Sequence, residues 1–247
     1  MSFIFTLFNQ VLFYPLLNVL ILIYNFLPYQ DLGVAIIILT VLIRFLLYPL
    51  SKKSIQSQQA INKLQPKIKE IQKKFKKKED QARETMLLYQ KYKVNPMAGC
   101  LPILVQLPVL IALFQVFSIG SNLNQLDYLY NFVQRPEVIN FMFLGIIDLS
   151  RRSIILSVLA GFLQFIQSKM ILPKKNSAQN TSGKMDFSSI MNQQMIYFMP
   201  IFTIFIALNL PAALPLYWLV ITLFGIIQQR FTPFLNNSRQ EQKSLSG

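Results

Sequence analysis

The chain has 247 residues, of which 53% are hydrophobic and 14% charged, the balance of an integral membrane protein rather than a soluble globule. It has no histidine, a single cysteine (Cys100) and only ten carboxylates. That inventory excludes histidine-based triads, an internal disulfide and a His/Cys metal cluster, and it argues against an enzyme, a resident metal or a cofactor.

Residues 3–27 form the first apolar stretch. Thr6, Gln10, Tyr14, Asn18 and Asn25 fall within roughly 120° of one another at about 100° per residue, which makes one polar stripe. Pro15 would bend a crossing helix. The stripe favours an amphipathic helix lying in the outer membrane interface, with a true crossing as the alternative. No Lys or Arg precedes Arg44, so the basic start of a secretory signal is absent, as is an Arg- and Ser-rich transit segment.

Residues 33–51 form the first expected span. The apolar run Gly33–Leu50 is interrupted by one charge, Arg44. As a helix the run is about 27 Å long, close to the hydrocarbon thickness of a bilayer. A guanidinium stays protonated at physiological pH, and at a helix centre in lipid it costs about 2.5–3.5 kcal/mol. Such a charge normally faces a partner or a polar cavity and marks function.

Residues 52–95 are strongly basic, with 13 Lys/Arg against 4 Asp/Glu over 52–93. Ile61, Leu64, Ile68, Ile71 and Phe75 repeat at spacings of 3 and 4, a heptad seam. Pro66 should kink that helix or mark its start. After the charged turn Lys76–Asp80, a second helix is expected over 81–93, with Ala82, Met86, Tyr89 and Tyr92 as its inner face. The pair reads as a helical hairpin. Its lysines Lys67, Lys69, Lys73, Lys74, Lys76, Lys77 and Lys78 are candidate contacts for ribosomal RNA or anionic lipid; the plainer reading is a solvated loop that sets topology.

Four more spans are expected, at 99–121, 153–172, 194–210 and 213–231. The loop 122–152 balances Arg135, Arg151 and Arg152 against Asp127, Glu137 and Asp148, while 173–193 carries Lys174, Lys175 and Lys184 against Asp186. The tail 232–247 is weakly basic. The positive-inside rule puts 52–95, 173–193 and the C-terminus in the cytoplasm, and the N-terminus outside.

Several spans carry amides: Gln106 and Gln115 in the second, and Gln164 and Gln167 on one face of the third. Asn209 lies near the outer end of the fourth span, and the fifth has Tyr217 and Trp218 near its outer end. Each amide alone reads as an interhelical hydrogen bond, and the two aromatics read as an interfacial belt. Jointly, with no carboxylate inside any of the five spans, they suggest a hydrated cavity open to the cytoplasm around Arg44. A buried unpaired charge is otherwise very costly.

In these residues the chain resembles the YidC-type membrane protein insertase family. The resemblance runs from GVAIIILTVLIRFLLYPLSKKS (33–54) through LQPKIKEIQKKF (64–75) and YQKYKVNPMAGCLPILVQLPVLIALFQVF (89–117). It resumes at FIQSKM (165–170) and MPIFTIFIALNLPAALPLYWLVITLFGIIQQ (199–229). The arginine in the first span, NPMAGCLP before the second and LPLYW in the last are specific together. The resemblance implies an all-α polytopic core of five transmembrane helices with a cytoplasmic helical hairpin and an N-terminal interfacial helix. It implies insertion and folding of nascent membrane proteins, alone or with the Sec translocon (SecYEG with SecDF), in a bacterial plasma membrane. The ribosome and the signal recognition particle with its receptor are further implied partners. The family's groove arginine carries over to Arg44 and its third-span glutamine to Gln167 or Gln164, and Gln106, Tyr217 and Trp218 complete the expected groove. Unlike in some members, no large domain or lipid-anchoring cysteine is expected before the core, and the short, weakly basic tail is not expected to dock the ribosome. The rival readings are a small-anion transporter or channel with Arg44 as its binding site, and a structural assembly factor with no groove.

Overall fold

The computed structural model describes residues 2–95, 97, 101–118, 123–171 and 187–232, and these are mostly helical. The run from Ser2 to Phe26 is α1 (Ser2–Phe8), a π-helical turn (Asn9–Phe13) and α2 (Tyr14–Phe26). Pro15 accounts for the wide turn. It has no N–H for the carbonyl of Val11 and its ring crowds that carbonyl, and a π turn relieves both. Tyr14 N accordingly reaches back five residues to Asn9 O.

Helix α3 (Leu32–Leu46) opens at Asp31, whose side chain accepts from Val34 N at 3.0 Å, an N-cap bond. It gives way at Leu47 to α4 (Tyr48–Lys74) through a 66° bend. Pro49 at the second position of α4 explains the break, because the carbonyl of Phe45 loses its donor. The end of the expected 33–51 segment therefore turns off the α3 axis. Helix α4 runs through Pro66 rather than starting there.

Helix α5 (Lys78–Lys91) folds back on α4. Leu64 and Ile68 are buried in their seam, and Ile61, Ile71 and Phe75 are half-buried. The expected inner face of α5 is corrected: Ala82 is exposed and Met86 is 50% exposed, whereas Glu84, Thr85 and Leu88 are half-buried with Tyr89 and Tyr92. Gln81 sets this rotation. Its Nε2 donates to Phe75 O at 2.6 Å and to Gln72 O at 3.2 Å, satisfying carbonyls that the end of α4 leaves open.

Helix α6 (Leu101–Phe117) is followed by a 3₁₀ turn, Leu123–Tyr128, and then by a two-stranded antiparallel hairpin, β1 (Met142–Phe143) and β2 (Ile147–Asp148). Phe143 pairs with Ile147. The chain closes with α7 (Ile154–Ile171), α8 (Phe187–Ala207) and α9 (Ala213–Phe231). Helix α9 packs on α3, α6 and α7, and α7 packs on α8. The last pair is close because of Gly161: a Cβ there would lie 2.7 Å from Ile204 Cδ1 and 3.0 Å from Pro200 O.

By length and composition, Phe3–Phe26 and Ala213–Phe231 each suffice to cross a membrane, and α3 with α4 would make a third as a bent pair. Leu104–Phe117, Ile154–Met170 and Ile196–Ala207 are shorter apolar helices.

The polar stripe of α2 does not face water. Asn18 is buried; its Nδ2 donates to Tyr14 O at 2.8 Å and Tyr128 O at 3.2 Å, and its Oδ1 accepts from Tyr130 N at 2.6 Å. Asn25 Nδ2 donates to Gln134 O at 2.7 Å. Tyr24 Oη donates to Val138 O at 3.2 Å and accepts from Asn140 N at 2.7 Å. The loop 123–152 lacks regular structure over most of its length, so its backbone groups must find side-chain partners, and α2 supplies them. The same loop caps α9, with Ala212 N donating to Arg151 O at 2.7 Å and Ala213 N to Leu149 O at 3.2 Å.

Candidate functional site

Arg44 lies in the last turn of α3. Its Nε is buried and has no hydrogen-bond partner among the described residues. The ion pairs Arg135–Asp127 at 2.6 Å and Arg151–Asp148 at 3.1 Å both lie in the loop 123–152. The Tyr217 hydroxyl of α9 is within electrostatic reach of Arg44.

Tyr217 is 1% exposed, so the interfacial-belt reading does not hold for it. It accepts a hydrogen bond from Gln106 Nε2 of α6 and meets Phe117 edge-on at 6.3 Å. Trp218, the next residue, is half-buried against the apolar core. Arg44, Gln106 and Tyr217 are thus brought together from three helices that lie far apart in sequence.

Gln167 of α7 lies further along α9. Its Nε2 occupies the space that a Cβ on Gly225 would need. Gly225 is eight residues beyond Tyr217, about 12 Å down the helix axis, so α9 meets Gln167 of α7 at a different level from Gln106 of α6. Gln164 is half-buried one turn earlier on α7.

Helices α3 and α9 also meet where α3 breaks. Phe45 and Phe224 are edge-on at 5.6 Å, and the buried Gln228 donates from Nε2 to Tyr48 O at 3.4 Å. Gln228 and Gly225 are not among the expected groove residues. The sequence signal for Gln228 is its spacing of three from Gly225 on one helix face; a glycine in an apolar helix carries no polar signal at all.

The candidate lysines are all exposed. Lys67 Nζ lies 4.4 Å from the centre of the Tyr92 ring and donates to its hydroxyl. Lys74 stands over Phe75 at 5.6 Å. Lys73 and Lys74 end α4 while Glu79 and Asp80 begin α5, each matched in sign to its helix dipole. Lys69, Lys76, Lys77 and Lys78 complete a cationic surface around the turn. Pro96, Ala98, Gly99 and Cys100 of NPMAGCLP, as well as 119–122, 172–186 and the tail from 233, fall outside the described residues. Among the described residues no three His, Cys, Asp or Glu side chains converge.

The family profile described as 60Kd inner membrane protein matches residues 22–239. "Membrane protein insertase YidC 1" of Listeria monocytogenes is 35% identical over 216 residues, covering 85% of this chain and 67% of the relative. "Membrane protein insertase YidC" of Oceanobacillus iheyensis is 37% identical over 201 residues, covering 79% and 72%. "Membrane protein insertase MisCA" of Bacillus subtilis is 34% identical over 203 residues, covering 79% and 68%.

Proposed function

The chain belongs to the 60Kd inner membrane protein family, the family of the YidC insertases, and on that premise we propose that it inserts and folds newly made proteins in a bacterial plasma membrane. The observation that carries the mechanism is Arg44: a permanent charge with a buried Nε that nothing in the described chain satisfies, held beside the Gln106–Tyr217 pair. A charge in such surroundings requires water or an anion.

In this reading α3, α6, α7, α8 and α9 are the five spans. The loop 122–152 is extracytoplasmic, and the α4–α5 hairpin, 173–193 and the C-terminus are cytoplasmic. The groove lies along α9 between α3, α6 and α7 and opens to the cytoplasm. Arg44, Gln106, Gln164, Gln167, Tyr217 and Trp218 line it. Helix α3 has 15 residues and is about 22 Å long. It falls short of a hydrocarbon core of about 30 Å, so the bilayer beside it thins and the barrier to a polar segment shortens.

A hydrophilic substrate tail enters the wet groove from the cytoplasm. Arg44 offsets part of its desolvation; a carboxylate at 4 Å with an effective dielectric of 20 gains about 4 kcal/mol. The tail's apolar neighbour then passes between helices into lipid, and loss of apolar surface from water drives the step. The chain has no Gly-rich phosphate-binding motif, and the step as proposed draws on no nucleotide. The exposed lysines of the hairpin give the ribosome, the signal recognition particle or the Sec translocon an electrostatic contact.

Photocrosslinking from positions 44 and 167 to nascent chains on stalled ribosomes tests occupancy of the groove. Both positions should label the chain. Arg44→Ala should slow insertion of acidic-tailed substrates tenfold or more, since about 1.4 kcal/mol is a factor of ten, and Arg44→Lys should retain most of the rate. Absence of crosslinks from both positions, with the protein at normal levels, refutes the groove. Equal losses for neutral and acidic tails refute the attraction step. Flux of small anions in liposomes would point to a transporter instead.

A further inference from the structure

The hairpin of the loop 123–152 has an unusual tip. Its turn is closed by the bond from Ile146 N to Phe143 O at 3.0 Å. The two residues between them, Leu144 at φ 51° and Gly145 at φ 70°, both have positive φ. Glycine adopts this conformation freely, and asparagine or aspartate adopts it more readily than leucine, whose Cβ is crowded there. A turn facing water therefore selects Asn-Gly or Asp-Gly. Here leucine takes the first position, and Leu144 is 63% and Ile146 78% exposed.

The tip is fixed in place. Leu144 N donates to Asp31 Oδ2 at 2.7 Å, and Asp31 is the N-cap of α3. The tip therefore stands level with the first turn of an apolar helix. Beside it, at the end of α2 and in the link to α3, Phe26 is 81% and Tyr29 86% exposed. Between hairpin and link an open cavity of about 490 Å³ is lined mainly by apolar groups, among them Leu27, Val34 and Met142. Past β2, Arg151 and Arg152 are exposed.

We propose that this hairpin tip is a lipid anchor. Leu144 and Ile146 enter the acyl-chain region of the leaflet at this end of α3, and the cavity beneath them admits an acyl chain. Tyr29 lines the same cavity as Leu144, and tyrosine is a residue type that favours a membrane interface. Arg152, exposed six residues after Ile146, adds a cation on the phosphate side of the tip, whereas Arg151 is paired with Asp148. The tip is bonded to the N-cap of α3, which on the function proposed above begins a membrane span, and that position selects lipid over a protein partner.

The test places a nitroxide label at Ile146→Cys or Glu137→Cys in a Cys100→Ser background. The protein is reconstituted in vesicles of phosphatidylethanolamine and phosphatidylglycerol at 3:1. Relaxation by oxygen should exceed relaxation by a water-soluble nickel chelate several-fold more at 146 than at 137. Equal ratios at the two sites overturn the proposal, and so does protection at 146 that appears only at high protein-to-lipid ratio, which would mean contact with a second copy. Leu144→Asn suits the turn, so it should leave thermal stability in detergent unchanged or raised. It should also make the 146 label shallower; unchanged depth overturns the proposal.

Discussion

Replacing Asp31 separates two bonds that meet on one carboxylate. Oδ1 accepts from Val34 N at 3.0 Å and caps α3, while Oδ2 accepts from Leu144 N at 2.7 Å and holds the hairpin. Asp31 is buried, so water replaces neither bond readily. An N-cap is worth about 1 kcal/mol, and a hydrogen bond to a charged group about 1.5–3 kcal/mol. Asp31→Ala loses both, roughly 2.5–4 kcal/mol, which lowers the unfolding midpoint by about 5–15 °C in a protein of this size. Asp31→Asn keeps one carbonyl oxygen to cap the helix, but its amide nitrogen cannot accept from Leu144. It should therefore fall between alanine and the native chain. Thermal unfolding in detergent, with amide exchange followed at 31–36 and 141–149, reads the two losses separately. In Asp31→Asn, exchange should quicken in the hairpin and not in the first turn of α3. The reasoning is refuted if asparagine matches alanine in both segments, or if alanine shifts the midpoint by less than about 2 °C.

Two further outcomes follow from the geometry. Gly225→Ala should stabilise α9 as a helix by up to about 1 kcal/mol yet impair insertion, because the new Cβ displaces the Gln167 amide. In a Gln167→Ala background the same change should have no further effect; equal losses in both backgrounds would show that Gly225 acts elsewhere. The third concerns acid. The Ser150 hydroxyl bond, foremost, holds the Asp148 carboxyl below the usual carboxylate range. A depressed folded value contributes stability that is present above the ordinary value near 3.9 and lost as pH falls through the lower folded one. Amide exchange over 141–149 should therefore quicken only below about pH 4, and Asp148→Asn should abolish that limb. Loosening that begins above pH 5 would contradict this.

What the sequence made legible depended on whether a partner was local. The seam Ile61, Leu64, Ile68, Ile71 and Phe75 is readable because heptad spacing alone decides which face is buried, and the folded hairpin buries that face. The face of α5 is not readable, because Gln81, by bonding to carbonyls of another helix, sets its rotation. The stripe on α2 is visible in the sequence, but what it bonds to is not. Its partners are backbone groups of a loop more than a hundred residues away, and nothing local announces them. Two-residue strands are too short to show a period of two. Arg44 was legible for the opposite reason: a charge in an apolar run needs no partner to be conspicuous.

The distribution of satisfied polar groups gives the molecule a direction. Around the loop 123–152, Asn18, Tyr24 and Asp31 all spend their hydrogen-bonding capacity on backbone within the chain. Fully satisfied networks of this kind rigidify their surroundings. Of the buried side-chain atoms that lack a partner among the described residues, Arg44 Nε is on α3, Gln59 and Gln72 are on α4, Gln229 is on α9, and only Gln125 belongs to the loop. Two of the five, Arg44 Nε and Gln229 Oε1, thus lie on the helices that meet where α3 breaks, while Gln59 and Gln72 lie further along α4. A buried polar group without a partner costs about 1–3 kcal/mol, so it persists only where another gain outweighs the cost. On the function proposed above, a polar substrate segment would satisfy for a time what the chain leaves open at Arg44. Supplying a counter-charge from within, by Gln106→Glu beside the Tyr217 hydroxyl for example, should raise stability and lower insertion together. A variant that gained stability and kept its insertion rate would break the link between unsatisfied groups and function.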